Sequence, residues 1–263
     1  MTEATSDRLA LRTSVTVIIP HRNTPRDLAS CLDAIPRAAV ARAEIIVVDN
    51  GSSPDRRPVA TPRARVEIVR NATNRGFAAA CNQAAIRARG DLLLFLNSDA
   101  ELMPDSLEVL VSALERAPEL AAVGAVEQPP SGPPASPARR FLGPLDHAAG
   151  LSGIPFLRCA RDSLRVPAAN VVEAPWLRAS ALLVRASVFR AVGGFDEGFF
   201  FYEEDEDLCW RLRRRGHRVA VCRDAVVRHV GGLSVSAAGA WPWLLSLLKH
   251  VWLPATKAST TAG

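Results

Sequence analysis

GDLLLFLNSDAEL, residues 90–102, runs from a wholly apolar segment, Leu92–Leu96, into a polar turn, Asn97-Ser98-Asp99. Five consecutive apolar residues are too few for an ordinary helix and predict a strand buried on both faces. Upstream, Gly76–Arg89 is rich in alanine and closed by Gly90, the pattern of a helix with a glycine stop. Downstream, Pro104 and Asp105 open a helix to about Arg116, and Leu120–Val126 is a further strand. Toward the N-terminus, Val15–Ile19, Glu44–Val48 and Val66–Val69 read as three more short strands. Thr24, Pro25 and Asp27 supply a helix start, with the helix reaching about Ile35. This alternation predicts an α/β fold, a Rossmann-like, mostly parallel, twisted sheet with helices on both faces.

In such sheets ligands bind beyond the carboxyl ends of the strands. Pro20, His21, Arg22 and Asn23 follow the first strand, Asp49 and Asn50 the second, and Asn97, Ser98 and Asp99 the fourth. Polar residues follow any strand, since loops are wet. Three such groups on strands of one sheet point to a nucleotide crevice.

The second half is patterned differently. Five of the ten residues from Gln128 to Pro137 are proline, which excludes a sheet interior, and the stretch to Val172 reads as an irregular insertion. Beyond it, Trp176–Val184 is expected as a strand and Ala186–Val192 as a short helix. Glu204–Arg215 is expected as a helix ended by Gly216, with Leu208 and Leu212 one turn apart on its buried side. Arg218–Cys222 and Ala225–His229 close the pattern as two short strands. The expected organisation is a polar, flexible N-terminus (1–14) and a single domain (15–236). That domain comprises a nucleotide-binding half (15–127), the insertion (128–172) and an acceptor and catalytic half (173–236). An amphipathic segment and tail (237–263) follow.

Residues 203–207 are five consecutive carboxylates, directly after the aromatic run Phe199–Tyr202. Like-charge crowding and burial beside rings both penalise ionisation. A helix start explains some of these acids, because carboxylates favour the positive end of the helix dipole and Asp207 can pair with Arg211. It does not explain all five beside four aromatic rings, and a chemical task for part of the cluster does.

Composition narrows the remaining classes. The chain has 263 residues, 48% of them hydrophobic, enough for one large core, and a net charge of +5. Only Lys249 and Lys257 among the 32 basic residues are lysines, and the arginines are scattered rather than striped, so no nucleic-acid partner is expected. Five cysteines without a CxxC pair suggest neither a disulfide framework nor a zinc site, and fit a reducing cytosol. The first fourteen residues lack a signal-peptide core, and no window of 18 uninterrupted apolar residues exists, so a cytoplasmic protein, soluble or peripheral on a membrane, is expected.

VTVIIPHRN (15–23), EIIVVDNGS (44–52), NRGFAAACNQA (74–84), GDLLLFLNSDAEL (90–102), GGFDEGFFFYEEDEDLCWRLRRRG (193–216) and RHVGGLS (228–234) resemble, in order and spacing, family 2 inverting glycosyltransferases. The likeness is greatest to bacterial rhamnosyltransferase-like enzymes of cell-surface polysaccharide assembly, and it covers roughly Val15 to Ser234. It implies a GT-A fold and transfer of a sugar from a nucleotide-sugar donor to a glycan or lipid-linked acceptor, with dTDP-rhamnose the first expectation for the donor. It further implies that Pro20, Arg22, Asn23, Asp49 and Asn50 hold base and ribose, and that Asn74, Gly76 and Phe77 complete the nucleotide wall. Asn97, Ser98 and Asp99 stand where the family has Asp-x-Asp. Asp99 would ligate a divalent metal, Mn²⁺ or Mg²⁺, with His229 as a nitrogen ligand, whereas Asn97 is a weaker, neutral donor. Asp205 of the Glu204–Asp205 pair would be the catalytic base, and Glu204 a second catalytic or acceptor-holding group.

Trp176 and Ser180, ahead of the acidic block, are expected to shape the acceptor site; a core tryptophan is the alternative. Ala240–Leu253 holds Trp241, Trp243 and Trp252 with Lys249 and His250, a composition suited to a membrane surface, a helix packed on the domain or a homodimer contact. Two rival functions fit parts of the pattern. A sugar-nucleotide nucleotidyltransferase would want a glycine-rich basic loop after Ile19, which is absent. A degenerate nucleotide-sugar-binding module would not need the intact Glu204–Asp205 pair.

Overall fold

Strands β1 (Val15–His21), β2 (Glu44–Asn50), β3 (Val66–Asn71) and β4 (Leu92–Leu96) form one parallel block in the order β3-β2-β1-β4. The central residues of β1, β2 and β4 are almost all apolar on both faces, leaving the backbone ladder as the outlet for their polar groups, whereas β3 lies at the edge and buries only Val69. The protein is represented by a computed structural model that describes residues 13–35, 43–58, 66–139, 141 and 169–229. The 237–263 segment, with its expected surface role, and most of 1–14 and of 140–168 lie outside the described residues.

The sheet continues past β4 with a reversal. β10 (Ala181–Arg185) inserts antiparallel between β4 and β6 (Leu120–Gln128). β11 (Arg218–His229) then runs parallel to β6. The short β5 (Ala100–Leu102) pairs with the upper part of β11, and β8 (Val171–Ala174) with its lower part, both antiparallel. Six of the nine strands (β1, β2, β3, β4, β6 and β11) therefore point one way, the mostly parallel sheet expected.

Helices cover both faces. α2 (Phe77–Arg87), α4 (Ala186–Ala191) and α5 (Glu204–Arg214) pack on one face, against Ile18, Ile46, Phe95 and Leu182. α1 (Pro25–Ala34) and α3 (Ser106–Arg116) pack on the other, against Val17, Ile19, Leu94 and Leu183. Successive strand residues divide between the two cores, as the period of two requires.

Two expectations change in detail, and one short strand is new. Trp176–Val184 is not one strand: β9 (Trp176–Leu177) leaves the main sheet to pair with β7 (Ala138–Arg139), and β10 starts only at Ala181. Residues 218–229 form one strand rather than two, with the break absorbed as a register shift between Cys222 and Val226. The three-residue β5 lies directly after the Asn97-Ser98-Asp99 turn and presses that turn against the end of β11.

Candidate active site

Because β1, β2 and β4 are parallel neighbours, the polar residues at their ends share one edge. Pro20 lies in β1 beside Val48. Asn23 adopts a left-handed conformation (φ 61), a geometry asparagine tolerates. Its N–H donates to Ser52 Oγ (3.0 Å), and its Oδ1 accepts from the Ser53 N–H (2.9 Å). The Thr24 and Ser98 hydroxyls are 3.3 Å apart, which ties the first loop to the third. Asp49 is buried; it accepts from the Ser52 N–H (3.1 Å) and faces the Arg70 guanidinium at 3.3 Å.

Asn50 is turned into the protein. Its Oδ1 accepts from Asn71 and from the Arg75 N–H, and its Nδ2 donates to Asn74 Oδ1 (2.8 Å) and to the Gly76 carbonyl (3.0 Å). Asn50 and Asn74 therefore brace the wall of the crevice, with their amides spent on its loops. Gly51 (φ 77) passes so close to Thr73 that an added Cβ would sit 2.6 Å from that residue's backbone. Arg22 differs from all of these: its Nε is shielded from solvent and has no hydrogen-bond partner among the described residues.

At the fourth strand end, the Asn97 N–H donates to the Ser180 carbonyl (3.1 Å) and its own carbonyl accepts from the Ala100 N–H (3.1 Å). Asp99 Oδ1 lies 3.3 Å from His229 Nε2, and the Asn97 side-chain nitrogen lies 3.2 Å from the same Nε2. Two electron-pair donors facing each other at that distance call for a proton or a cation between them. Neighbouring ligands on an octahedral ion with bonds of ~2.1 Å stand about 3.0 Å apart, so the Asp99–His229 pair fits Mg²⁺ or Mn²⁺. Among the described residues no group of three or more His, Cys, Asp or Glu side chains could hold an ion, so the protein would share it with oxygens of a bound ligand and water.

The acidic block is sorted by its surroundings. Asp207 pairs with Arg211 one turn along α5 (2.7 Å), the structural use expected of a helix-start acid. Asp196 braces its own loop, accepting from the Gly198 N–H. Glu204 is buried, its Oε2 has no hydrogen-bond partner among the described residues, and burial together with the Asp205 charge pushes its carboxyl well above the usual range.

Asp205 is held by the N–H groups of Ala179 (3.0 Å) and Glu206 (2.9 Å). Burial raises its pKa from 3.8 to about 6. The Ala179 bond opposes that rise, the Glu203 charge adds to it, and the Glu206 bond and Arg178 pull it back. Just before the pair, Tyr202 (φ 69) and Glu203 (φ 71) are consecutive left-handed residues, neither of them glycine. Such conformations cost about 1–3 kcal/mol each and persist only where the surroundings over-determine them.

Two links fasten this block to the nucleotide half. The Phe77 N–H donates to the Phe200 carbonyl (3.0 Å), and Asn82 exchanges hydrogen bonds with the Phe195 backbone (2.8 and 2.9 Å). Closer to the chemistry, Asp205 is bonded to Ala179, and the next residue, Ser180, is bonded to Asn97. The carboxylate with the raised pKa and the Asp99–His229 pair thus stand at the two ends of one short relay.

Ser180 lies within that relay, but its hydroxyl donates to Glu127 Oε1 (2.5 Å). Trp176 is half-buried at the edge of the α2, α4 and α5 core, and its strand partner is Arg139. Sequence reasoning missed Glu127 and Arg178. Glu127 is buried at the end of β6, contacts Ser180, forms an ion pair with Arg178 and lies 3.7 Å from His229 Nδ1. The rule applied to the other strand ends would have found it, since Glu127 follows the apolar run Leu120–Val126.

A mostly parallel sheet with a reversed central strand and a polar crevice at its strand ends is the GT-A fold, which this chain shares with solved glycosyltransferase structures. The family model described as "Glycosyl transferase family 2" matches residues 16–156, and this chain belongs to that family. It is 31% identical over 216 residues to the O-antigen biosynthesis protein RfbC of Myxococcus xanthus, covering 79% of this chain and 16% of that protein. It is 29% identical over 230 residues to an N-acetylglucosaminyl-diphospho-decaprenol L-rhamnosyltransferase of Mycobacterium tuberculosis, covering 80% of this chain and 72% of that one. Among solved structures it is similar to the mannosyltransferase PcManGT of Pyrobaculum calidifontis in complex with GDP-Man and Mn²⁺. There the TM-score is 0.60 at 18% identity, over 96% of this chain and 76% of that chain. Among the described residues no helix is long and apolar enough to cross a membrane.

Proposed function

We propose that this protein is an inverting glycosyltransferase that moves one sugar from a nucleotide-sugar donor to a glycan or lipid-linked acceptor of cell-surface polysaccharide. The observation that carries the reading is Asp205: a carboxylate fixed by two backbone N–H groups, its pKa raised to about 6, on the relay that ends at Asp99 and His229. The acceptor hydroxyl attacks the anomeric carbon as the bond to the departing nucleoside diphosphate breaks. The hydroxyl proton passes to Asp205, help typically worth ~10²–10⁴-fold. Glu204, whose carboxyl burial pushes toward the neutral form, holds a second acceptor hydroxyl. The donor lies along the Pro20–Asn23, Asp49–Asn50 and Asn74–Phe77 wall, where the unpartnered Arg22 Nε is free to receive it. Asp99 and His229 would hold Mg²⁺ or Mn²⁺, which when bound would supply positive charge for the leaving diphosphate.

L-Rhamnose from dTDP-rhamnose is the proposed donor sugar, supported by the relative named an L-rhamnosyltransferase. The deciding experiment measures transfer across a panel of nucleotide sugars, with and without Mn²⁺, in the wild type and in Asp205→Asn. The variant is expected to lose transfer by at least about 10²-fold while donor affinity stays within a few-fold. Parallel loss of donor binding would reduce Asp205 to structural support.

A further inference from the structure

We infer that Glu127 is a positioning residue for the cation site, acting on His229 from the far side of its ring. The inference rests on the metal role proposed above for Asp99 and His229. Glu127 Oε1 lies 3.7 Å from His229 Nδ1, whereas Asp99 and the Asn97 amide approach Nε2 at 3.3 and 3.2 Å. The two acids thus address opposite ring nitrogens, and Glu127 is not a ligand to an ion on Nε2. A carboxylate behind the ring favours the N–H on Nδ1 and so keeps the lone pair on Nε2, the nitrogen that faces Asp99 and the Asn97 amide.

Glu127 is itself tightly held. Its Oε1 accepts from the Ser180 hydroxyl (2.5 Å), its Oε2 is paired with Arg178, and its backbone N–H and carbonyl both bond Ala135 (2.8 and 2.7 Å). The orientation of His229 is therefore set by residues 178–180, the stretch whose Ala179 N–H also holds Asp205. Partners of this kind typically govern metal affinity by 10–100-fold.

The test titrates Mn²⁺ into the full chain in the presence of dTDP, and again with UDP, following free Mn²⁺ by EPR. Glu127→Gln, Glu127→Asp and Asp99→Asn are compared with the wild type. Glu127→Gln is expected to bind Mn²⁺ ~10–100-fold more weakly, with nucleotide binding in the absence of metal unchanged. Glu127→Asp keeps the charge opposite Arg178 but draws it back from the ring, and should recover part of the loss. It also serves as the deciding variant if Glu127→Gln does not fold. Should Asp99→Asn lose Mn²⁺ while both Glu127 variants retain wild-type affinity, the role of Glu127 is overturned and the metal site stands. A wild type that takes up no Mn²⁺ with either nucleotide overturns both.

Discussion

Asp205 carries opposing demands on one side chain. Burial and the Glu203 charge favour its protonated form, while the Ala179 and Glu206 N–H groups and Arg178 favour the anion, and the balance stands at about 6. A base works only when ionised, so transfer should rise with pH through a limb near 6 and level off above it. Glu203→Gln removes one of the charges that oppose ionisation, so the limb should move to lower pH. A pH profile of kcat/KM for both proteins checks this, and a limb unmoved or shifted upward would mean another group limits the rate. The same residue shows what side-chain patterning can tell. The run of acids beside aromatics was visible as a site, but which acid does what was not. Asp205 and Asp207 are two positions apart in one helix, yet one accepts from the Ala179 N–H outside that helix and the other pairs with Arg211. Glu127 follows an apolar run as the other strand-end groups do, but its partners are invisible in the sequence, because β10 and β11 bring them to it.

At the scale of elements, α2 and the aromatic loop meet at a close joint. Gly76 enters α2 at φ 85, and a Cβ there would lie 2.5 Å from the Phe200 carbonyl oxygen, the atom that accepts from the Phe77 N–H. Gly76→Ala therefore meets both a left-handed backbone and a rigid neighbour, and should destabilise the fold by about 2 kcal/mol or more. Urea unfolding measures it directly; a midpoint equal to that of the wild type would show that the loop can step aside. The long apolar strands β1, β2 and β4 and the helices α1, α2, α3 and α5 were legible because each buries enough side chains to leave a periodic trace. β5, β7 and β9, of two or three residues, leave none. The reversal of β10 was also hidden, since Ala181–Val184 is as apolar as a parallel strand and hydrophobicity carries no sign of direction.

For the molecule as a whole, the halves are interleaved rather than adjacent. β10 bridges β4 and β6, and β11 joins β6, β5 and β8, so neither half owns a complete sheet. Denaturation should thus be a single transition in which far-UV circular dichroism and tryptophan fluorescence coincide. Two separated midpoints would show that one half stands alone.

The place of β10 also bears on how the chain is born. Synthesis proceeds from the N-terminus, so Leu92–Leu96 and Leu120–Gln128 leave the ribosome well before Ala181–Arg185, the strand that must lie between them. Until then the nascent polypeptide carries two unsatisfied apolar margins facing a gap, a shape that invites pairing with neighbouring chains. Translation that stalls in this interval would leave a sticky, half-built slab, a client for holding chaperones that keep the slot open until its last plank arrives.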